Sequence, residues 1–414
     1  TVAMWATAYV CRFPGVHAPG WLLLALLLLA LVAGGWAAGR FTARGLVGGV
    51  QVGLLASVLN LLILGSLLSS AEVPNRLVPS ALWWVPGSLV LGALLGAAGA
   101  ALARRPAADA PAPLVRHGLP VFASVAAAAT FLLVIAGGIV TGGQAGLAVV
   151  DWPNSYGYNM FLYPLSRMTG GIYYEHGHRL LGSLVGLVTL VLAIHVWRAD
   201  PRRWLHGLGL LALILVIAQG ILGGLRVTGH FTLSDDPVLT RPNLWLAVVH
   251  GVTGQVFLGL MVAIAAMSTR AWRDARATAG PAIDRKLAAW LLGSVLVQLV
   301  LGALLRHTDA ALHAHITVAV LVVGVGIALG VRLGARPGVP VTLRQVGQSL
   351  LYALMLQFVL GFAALFARNL SEPGAPHAAD IAITTMHQAT GALVLALSVL
   401  ALLWTRRLLR AEDA

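Results

Sequence analysis

Apolar residues fall into long blocks along the whole chain, and short polar segments separate them. A membrane-spanning helix needs about 20 mostly apolar residues, and in lipid the backbone of such a block must pair within a helix. The pattern therefore predicts an all-α polytopic membrane protein with eleven transmembrane helices. The predicted spans are 20–38, 45–68, 81–103, 118–141, 172–197, 204–226, 243–269, 286–305, 311–333, 344–367 and 379–405.

The composition points the same way. Of the 414 residues, 59% are hydrophobic and 10% charged, whereas a soluble domain carries about 25% charged residues. The 7% aromatic share and the absence of regular alternation argue against a membrane β-barrel. The net charge of +13 comes from basic residues in the loops, so we do not interpret it as a nucleic-acid signal. Cys11 has no cysteine partner in the sequence, which excludes an intramolecular disulfide.

Basic residues fill every second loop, which predicts how the chain crosses the membrane. These residues are Arg104, Arg105 and Arg116; Arg198, Arg202 and Arg203; Arg270, Arg273, Arg276, Arg285 and Lys286; Arg332, Arg336 and Arg344; and Arg406, Arg407 and Arg410. By the positive-inside rule these loops are cytoplasmic. The alternate loops, predicted to face outward, hold Asp151, Asp235, Asp236, Asp309, Glu372 and Asp380.

The last eight helices repeat a pattern. A separation of 72 residues joins His178 to His250 and also His315 to His387. Each of these histidines begins an H-x-x-x-small motif, and three intervening helices carry Q-x-x-x-G at 219–223, 298–302 and 357–361. We therefore predict an eight-helix core of two tandem four-helix bundles, related as parallel repeats.

This repeat predicts the division of the chain. Residues 1–105 form a three-helix membrane extension without an assigned role, and 106–117 form a linker. Residues 118–270 are the first four-helix half, 271–285 a cytoplasmic linker, and 286–410 the second half. Residues 1–10 have two interpretations, the end of a preceding helix or of a signal segment.

The four repeated histidines are candidate metal ligands. Ionisable residues in membrane spans are costly and usually functional, and two imidazoles on facing helices can ligate one haem iron. The spacing pairs His178 with His250 and His315 with His387, one haem site in each half. His176 and His313 remain alternatives to His178 and His315. By contrast, His195 and His206 are interpreted as hydrogen-bonded packing residues.

Charged residues beside these histidines have two interpretations each. Glu175 lies one helical turn before His178, and Arg179 follows Glu175 by four residues, so each can share a helix face with Glu175. The spacing to Arg179 suits an interfacial ion pair. The position before His178 suits a carboxylate held beside a haem edge. The candidates Arg226 and Arg306 end helices on the predicted outward side, and Arg368 lies on the same side. They are either clamps for haem propionates or interfacial arginines.

Two segments together resemble the haem A synthase family. The first is Gly137-GIVTGGQAGLAVVDWPNSYG, and the second is Glu175-His-Gly-His178-Arg179. The resemblance covers residues 118–407. It implies an eight-helix duplicated bundle that oxidises the methyl group of haem O to the formyl group of haem A.

The resemblance also implies site roles. Haem O, the substrate, and haem A, the product, would bind through His178 and His250, with Arg179 nearby and Glu175 as the catalytic carboxylate. Haem b would bind through His315 and His387 as an electron-transfer group. Some family members have a cysteine pair in the first outer loop, whereas this chain has Asn154 and Ser155 after Trp152-Pro153, so a thiol-based step is excluded.

The implied location is the cell inner (plasma) membrane, with the haem sites near the periplasmic face. The implied partners are the lipid bilayer, haem O synthase, a quinone or another electron acceptor, and a second copy of the chain. Two other functions compete with this one. A dihaem b-type cytochrome in quinone-linked electron transfer explains the histidines equally well but does not require Glu175. A membrane transporter suits the repeats, although the polar groups gather at one face instead of at mid-bilayer.

Overall fold

A computed structural model describes residues 1–16, 18–103, 118–228, 244–371, 375 and 377–411. The predicted linker 106–117 lies outside the described residues, as do Arg104, Arg105, Arg116, Asp235, Asp236 and Glu372. Within the described ranges, eleven helices are long and apolar enough to cross a membrane. The predicted all-α polytopic class and its number of spans are therefore confirmed.

The helices begin and end close to the predicted positions. They are α1 (Val2–Cys11), α2 (Gly20–Phe41), α3 (Gly45–Leu64), α4 (Ala81–Leu102), α5 (Gly118–Gly142), α6 (Gly170–Ala199), α7 (Arg203–Thr228), α8 (Leu244–Ser268), α9 (Arg270–Asp274), α10 (Ala282–Thr308), α11 (Leu312–Ala335), α12 (Val341–Ala367) and α13 (Ala378–Leu408). All except the short α1 and α9 are the candidate membrane spans. Two short strands, β1 (Thr278–Gly280) and β2 (Leu409–Ala411), pair in parallel.

Counting both ends, the largest difference from the predicted spans is at α10, which runs Ala282–Thr308 where 286–305 was predicted. Pro281 precedes the first turn, a position where a missing backbone N–H costs nothing. Asp284 in that turn is fully buried and pairs with Arg332 (2.5 Å) and Arg336 (2.8 Å) of α11 and its end. These ion pairs stabilise a polar first turn that hydropathy alone assigns to a loop.

The structure divides into two compact units, and the first comprises Thr1–Gly118 and Ala148–Leu184. In it, α2, α3 and α4 approach closely through glycines. A Cβ atom at Gly53 would collide with the backbone of Gly92, and one at Gly49 or Gly35 with the backbone of Gly96. Small residues of this kind allow membrane helices to pack backbone to backbone.

The second unit comprises Leu119–Leu147 and Val185–Ala414. Its largest apolar cluster lies between α10, α11, α12 and α13 and includes the fully buried Leu291, Leu329 and Leu350. The α5 helix packs against α13, where the Gln388 amide donates to the Val134 carbonyl (3.3 Å). The helices that carry His250, His315 and His387 thus all belong to this unit.

Candidate functional site

Two of the four predicted ligands face each other in the second unit. The rings of His315 on α11 and His387 on α13 have centroids 6.4 Å apart, at an interplanar angle of 71°. Two imidazoles that each bond one metal ion at about 2 Å have centroids roughly 6 Å apart. His313, the alternative ligand to His315, is exposed on the surface of the protein. The structure therefore places His315, and not His313, beside His387.

Three of the repeated histidines each contact a glutamine from the preceding helix. The Gln298 amide nitrogen lies 3.1 Å from Nδ1 of His315, and the Gln357 amide nitrogen 3.4 Å from Nε2 of His387. With its amide oriented to satisfy its neighbours, Gln219 donates to Nδ1 of His250 over 3.0 Å. The same polar contact thus recurs at three imidazoles.

The glycine that follows each glutamine by one turn lies against the same ring. A Cβ atom would stand 3.1 Å from Cε1 of His315 at position 302, 3.2 Å from Cε1 of His387 at 361, and 3.4 Å from Cε1 of His250 at 223. A Cβ atom at position 302 or 361 would force the ring to shift by a few tenths of an ångström, whereas at 223 it would make an ordinary contact with the ring. The Q-x-x-x-G motif and the histidine form one structural module, which we call the Gln–Gly–His module.

The His315–His387 pair suits an iron-bound group. Nδ1 of His387 is buried and has no hydrogen-bond partner in the described part of the chain. Buried polar atoms in native proteins are normally paired. An unpaired ring nitrogen beside a second imidazole at metal-sharing distance is the donor set expected of a site for an axially ligated haem.

The predicted Glu175–Arg179 ion pair is present in the first unit. Oε1 of Glu175 accepts from Arg179 over 2.7 Å, and Oε2 accepts from the backbone N–H of Val149 over 2.9 Å. Glu175 is only 4% exposed. The Arg179 guanidinium also donates to the carbonyls of Val149 (2.7 Å), Asp151 (2.7 Å) and Asn154 (3.1 Å). Arg179 thus holds the carboxylate and the following loop together.

His176 faces the loop between α5 and α6, which we call the outer loop (148–167). The His176 ring is fully buried, and its Nδ1 lies 3.0 Å from the Ser155 hydroxyl. The His176 ring also contacts the Tyr163 ring, at a centroid distance of 5.0 Å. These contacts give His176 a place in the loop packing, whereas His178 follows Glu175 by one turn of α6.

Arg226 and Arg306, at the ends of α7 and α10, both lie against the end of α5. A Cβ atom at Gly146 would stand 2.6 Å from an Arg226 nitrogen, and one at Gly142 3.3 Å from an Arg306 nitrogen. His307 interacts electrostatically with both arginines and with His250. The sequence offers the adjacent Arg306-His307 pair as a signal for this residue, but only the structure connects it with the other helices.

The remaining candidates have partners of their own, although Arg368 and Asp309 also interact electrostatically with Arg306. Arg368 pairs with Asp309 over 2.6 Å at an exposed position. Nε2 of His206 lies 2.6 Å from the Asp200 carbonyl, and its ring stacks on Trp197. His195 lies beside Phe122. His206 is hydrogen-bonded as predicted, whereas for His195 the structure gives this ring contact.

The fold and these contacts define a polytopic membrane protein with a half-buried histidine pair and a buried carboxylate. Residues 158–317 match the family model described as "Cytochrome oxidase assembly protein". A protein named "Heme A synthase" from Methylorubrum populi is 33% identical over 143 residues. That alignment covers 34% of this chain and 35% of the relative's length. The two matches confirm the resemblance to the haem A synthase family.

Proposed function

We propose that the protein oxidises the methyl group of haem O to the formyl group of haem A. The observation that carries the proposal is the buried carboxylate of Glu175, one turn before His178 in the part of the chain that matches the family model. The relation to a protein named "Heme A synthase" supports the same reaction. Terminal oxidases would use the product.

The substrate haem binds in the first half through His178 and His250 in this proposal. The 72-residue spacing in the sequence supports that pairing. Arg226 and Arg306 bind the propionates, because a guanidinium recognises a carboxylate through charge-assisted hydrogen bonds. Both arginines interact electrostatically with His307, which brings the two guanidinium groups into one neighbourhood. Arg179 acts through Glu175 and the outer loop.

A haem b binds in the second half through His315 and His387. When bound, it would supply reversible one-electron transfer. The residues of the chain hold the two imidazoles at a spacing of 6.4 Å through the Gln–Gly–His modules. A quinone or another membrane electron acceptor takes the electrons that leave the substrate.

Glu175 serves as the proton acceptor. Oxidation of a methyl group to a formyl group takes its oxygen atom from water, releases protons to a base and passes electrons to the acceptor. A positioned carboxylate accepts a proton or stabilises positive charge that develops beside it. The Val149 N–H and the Arg179 guanidinium each bind one oxygen of Glu175, so the carboxylate has one orientation.

The protein resides in the inner (plasma) membrane, and its haem sites lie near the periplasmic face. Arginine-rich loops and the positive-inside rule support this orientation. Reporter fusions at Trp152 and in the Arg270–Lys286 segment test this orientation. We expect the reporter at Trp152 to lie in the periplasm and the reporter in the Arg270–Lys286 segment to lie in the cytoplasm. Fusions that place Trp152 in the cytoplasm contradict the orientation.

Haem extraction and mass analysis, after expression with a source of haem O, test the reaction. We expect haem A in cells with the protein and none in a matched host without it. Haem b alone in the purified protein, with no haem A formed from supplied haem O, would instead establish the dihaem cytochrome function.

A further inference from the structure

The N-terminal extension contacts the part of the first unit that carries Glu175, although the proposed reaction assigns residues 1–103 no role. The match to the family model begins at residue 158, well after this extension. The extension reaches the outer loop and α6 at two places, and both are built from specific polar or aromatic contacts.

The first contact joins the segment between α3 and α4 to the outer loop. The Ala71 carbonyl accepts from the Tyr158 hydroxyl (3.1 Å) and from the Arg167 guanidinium (2.5 Å). The Asn75 side-chain oxygen accepts from the backbone N–H of Asn159 (2.6 Å). Asn75 has a backbone φ of 62°, a left-handed conformation that asparagine adopts more readily than most residues. Three hydrogen bonds therefore connect this segment with the loop.

The second contact joins α1 to the beginning of α6. The rings of Tyr9 and Tyr173 stack at 5.5 Å, and the Tyr173 hydroxyl donates to the Tyr9 carbonyl over 2.5 Å. A Cβ atom at Gly177 would stand only 2.7 Å from a Tyr9 ring carbon. Gly177 lies between His176 and His178, so Tyr9 packs directly on the E-H-G-H-R signature.

Within the extension, α1 is hydrogen-bonded to α3 and forms part of one packed group of helices. The indole N–H of Trp5 on α1 donates to the Asn60 side chain on α3 over 3.2 Å. Trp5 is buried, so α1 is held by more than its contact with α6. Phe13, just after α1, adds a ring contact with Tyr174 at 5.1 Å.

A series of contacts through the outer loop connects the extension with Glu175. Tyr158, bound by the extension, packs edge-on against Tyr163 at 5.6 Å. Tyr163 contacts His176, whose Nδ1 lies by Ser155, and the same loop supplies the Val149 N–H to Glu175. Every step in this series is a contact between neighbours within the first unit.

We propose that the N-terminal extension is a positioning element that holds the outer loop against the start of α6 and so fixes the Glu175 carboxylate. Asn75, Tyr158 and Tyr9 are its positioning residues. The consequence for catalysis rests on the proposed function, whereas the consequence for the loop does not. Removal of these contacts should free the outer loop without unfolding the eight core helices.

Hydrogen–deuterium exchange of the full-length protein tests the loop. The variant is Asn75→Ala with Tyr158→Phe, and the matched control is Glu72→Ala with Tyr352→Phe, because Glu72 and Tyr352 are exposed. We expect about tenfold faster exchange in 148–160 for the variant and no change in α10–α13, since each lost hydrogen bond favours local opening. Exchange equal to that of the control overturns the proposal. Tyr158→Phe alone carries the same test if the double variant does not fold.

Variants of Tyr9 test the effect on the reaction. Tyr9→Ala removes the ring that packs on Gly177, whereas Tyr9→Phe keeps it. We expect Tyr9→Ala to lower the maximal rate of haem A formation several-fold with KM and haem content unchanged, and Tyr9→Phe to restore the wild-type rate. A wild-type rate together with wild-type exchange in Tyr9→Ala overturns the proposal. If the wild-type protein makes no haem A but the loop still exchanges faster in the variants, the proposed function fails and the positioning role of the extension stands.

Discussion

The surroundings of Glu175 in the first unit and the His315–His387 pair in the second are built from different groups. The Glu175 carboxylate accepts hydrogen bonds from the Arg179 guanidinium and from the backbone N–H of Val149. The outer loop, which contains Val149, supplies several more hydrogen bonds. The histidine pair is lined by glutamine amides and glycines. In the proposed function, the held charge of Glu175 accepts protons, and the uncharged packing around the histidine pair serves only to ligate iron.

The two proposed halves of the core nevertheless share a way of holding histidine, although His250 of the first half lies in the second unit. His250, a proposed ligand of the substrate haem, contacts Gln219 and Gly223 in the same manner as His387 contacts Gln357 and Gly361. Under the proposed function, the module would hold a haem in either half. What distinguishes the first half is the carboxylate and its loop, and the following variants separate the two contributions.

Glu175→Gln should have the largest effect. It keeps the size of the side chain but removes its charge, and general acid–base groups contribute about 10²–10⁴-fold to rates. We expect haem A formation to fall by about 100-fold or more while both haems stay bound, as measured by mass analysis at equal protein level. Glu72→Gln, at an exposed position, is the matched control. A wild-type rate in Glu175→Gln would show that the carboxylate is structural.

The sequence predicted the parts of the fold that depend on local pattern. The eleven spans follow from apolar blocks, and the Glu175–Arg179 pair follows from helical spacing of four residues. The choice of His315 over His313 also agrees with the repeat. In each case the signal lies within one helix or in a short motif, so tertiary contacts are not needed to read it.

Contacts between distant segments could not be predicted from one sequence. Ala71 and Tyr158 are 87 residues apart, and Ala71 takes part through its backbone carbonyl, which no side-chain pattern reveals. His307 belongs to no repeated motif, so its place beside Arg226 and His250 emerges only from packing. The extended start of α10 depends on ion pairs from Asp284 to α11, which hydropathy does not record.

His387→Ala should remove the haem of the second half. The wild-type protein is expected to hold about two low-spin bis-histidine haems per chain, so iron and pyridine haemochrome assays should report about half that content in the variant. His178→Ala should instead weaken the first-half site and leave the second-half spectrum intact. His313→Ala, at an exposed position near His315, is the control and should keep both. One haem or none in the wild-type chain would contradict the duplicated site.

Gly302→Ala should have a smaller effect on the same site. The added methyl would stand 3.1 Å from Cε1 of His315, so the ring must move. Overpacking typically costs about 1–3 kcal/mol, which corresponds to about 5- to 150-fold weaker binding of the second-half haem. Gly293→Ala on the same helix is the control, because nothing lies within 4 Å of its Cβ position. Equal haem retention in both variants, after dilution into haem-free apomyoglobin, would argue against close packing as the role of Gly302.

Gln298→Leu should have the smallest effect. Leucine keeps most of the volume but removes the amide that contacts His315 at 3.1 Å. One hydrogen bond contributes about 0.5–1.5 kcal/mol, so we expect about 2- to 10-fold faster haem loss and a shift in the electron paramagnetic resonance signal as the imidazole becomes free to rotate. The exposed Gln345 of α12 supplies the control, Gln345→Leu. The same substitution at Gln219 should weaken the first-half site by a similar factor, because the module is the same there. A much larger effect at Gln219 than at Gln298 would mean that the first half uses its glutamine for the reaction as well as for holding histidine, and the distinction between the two regions would then extend beyond Glu175 and its loop.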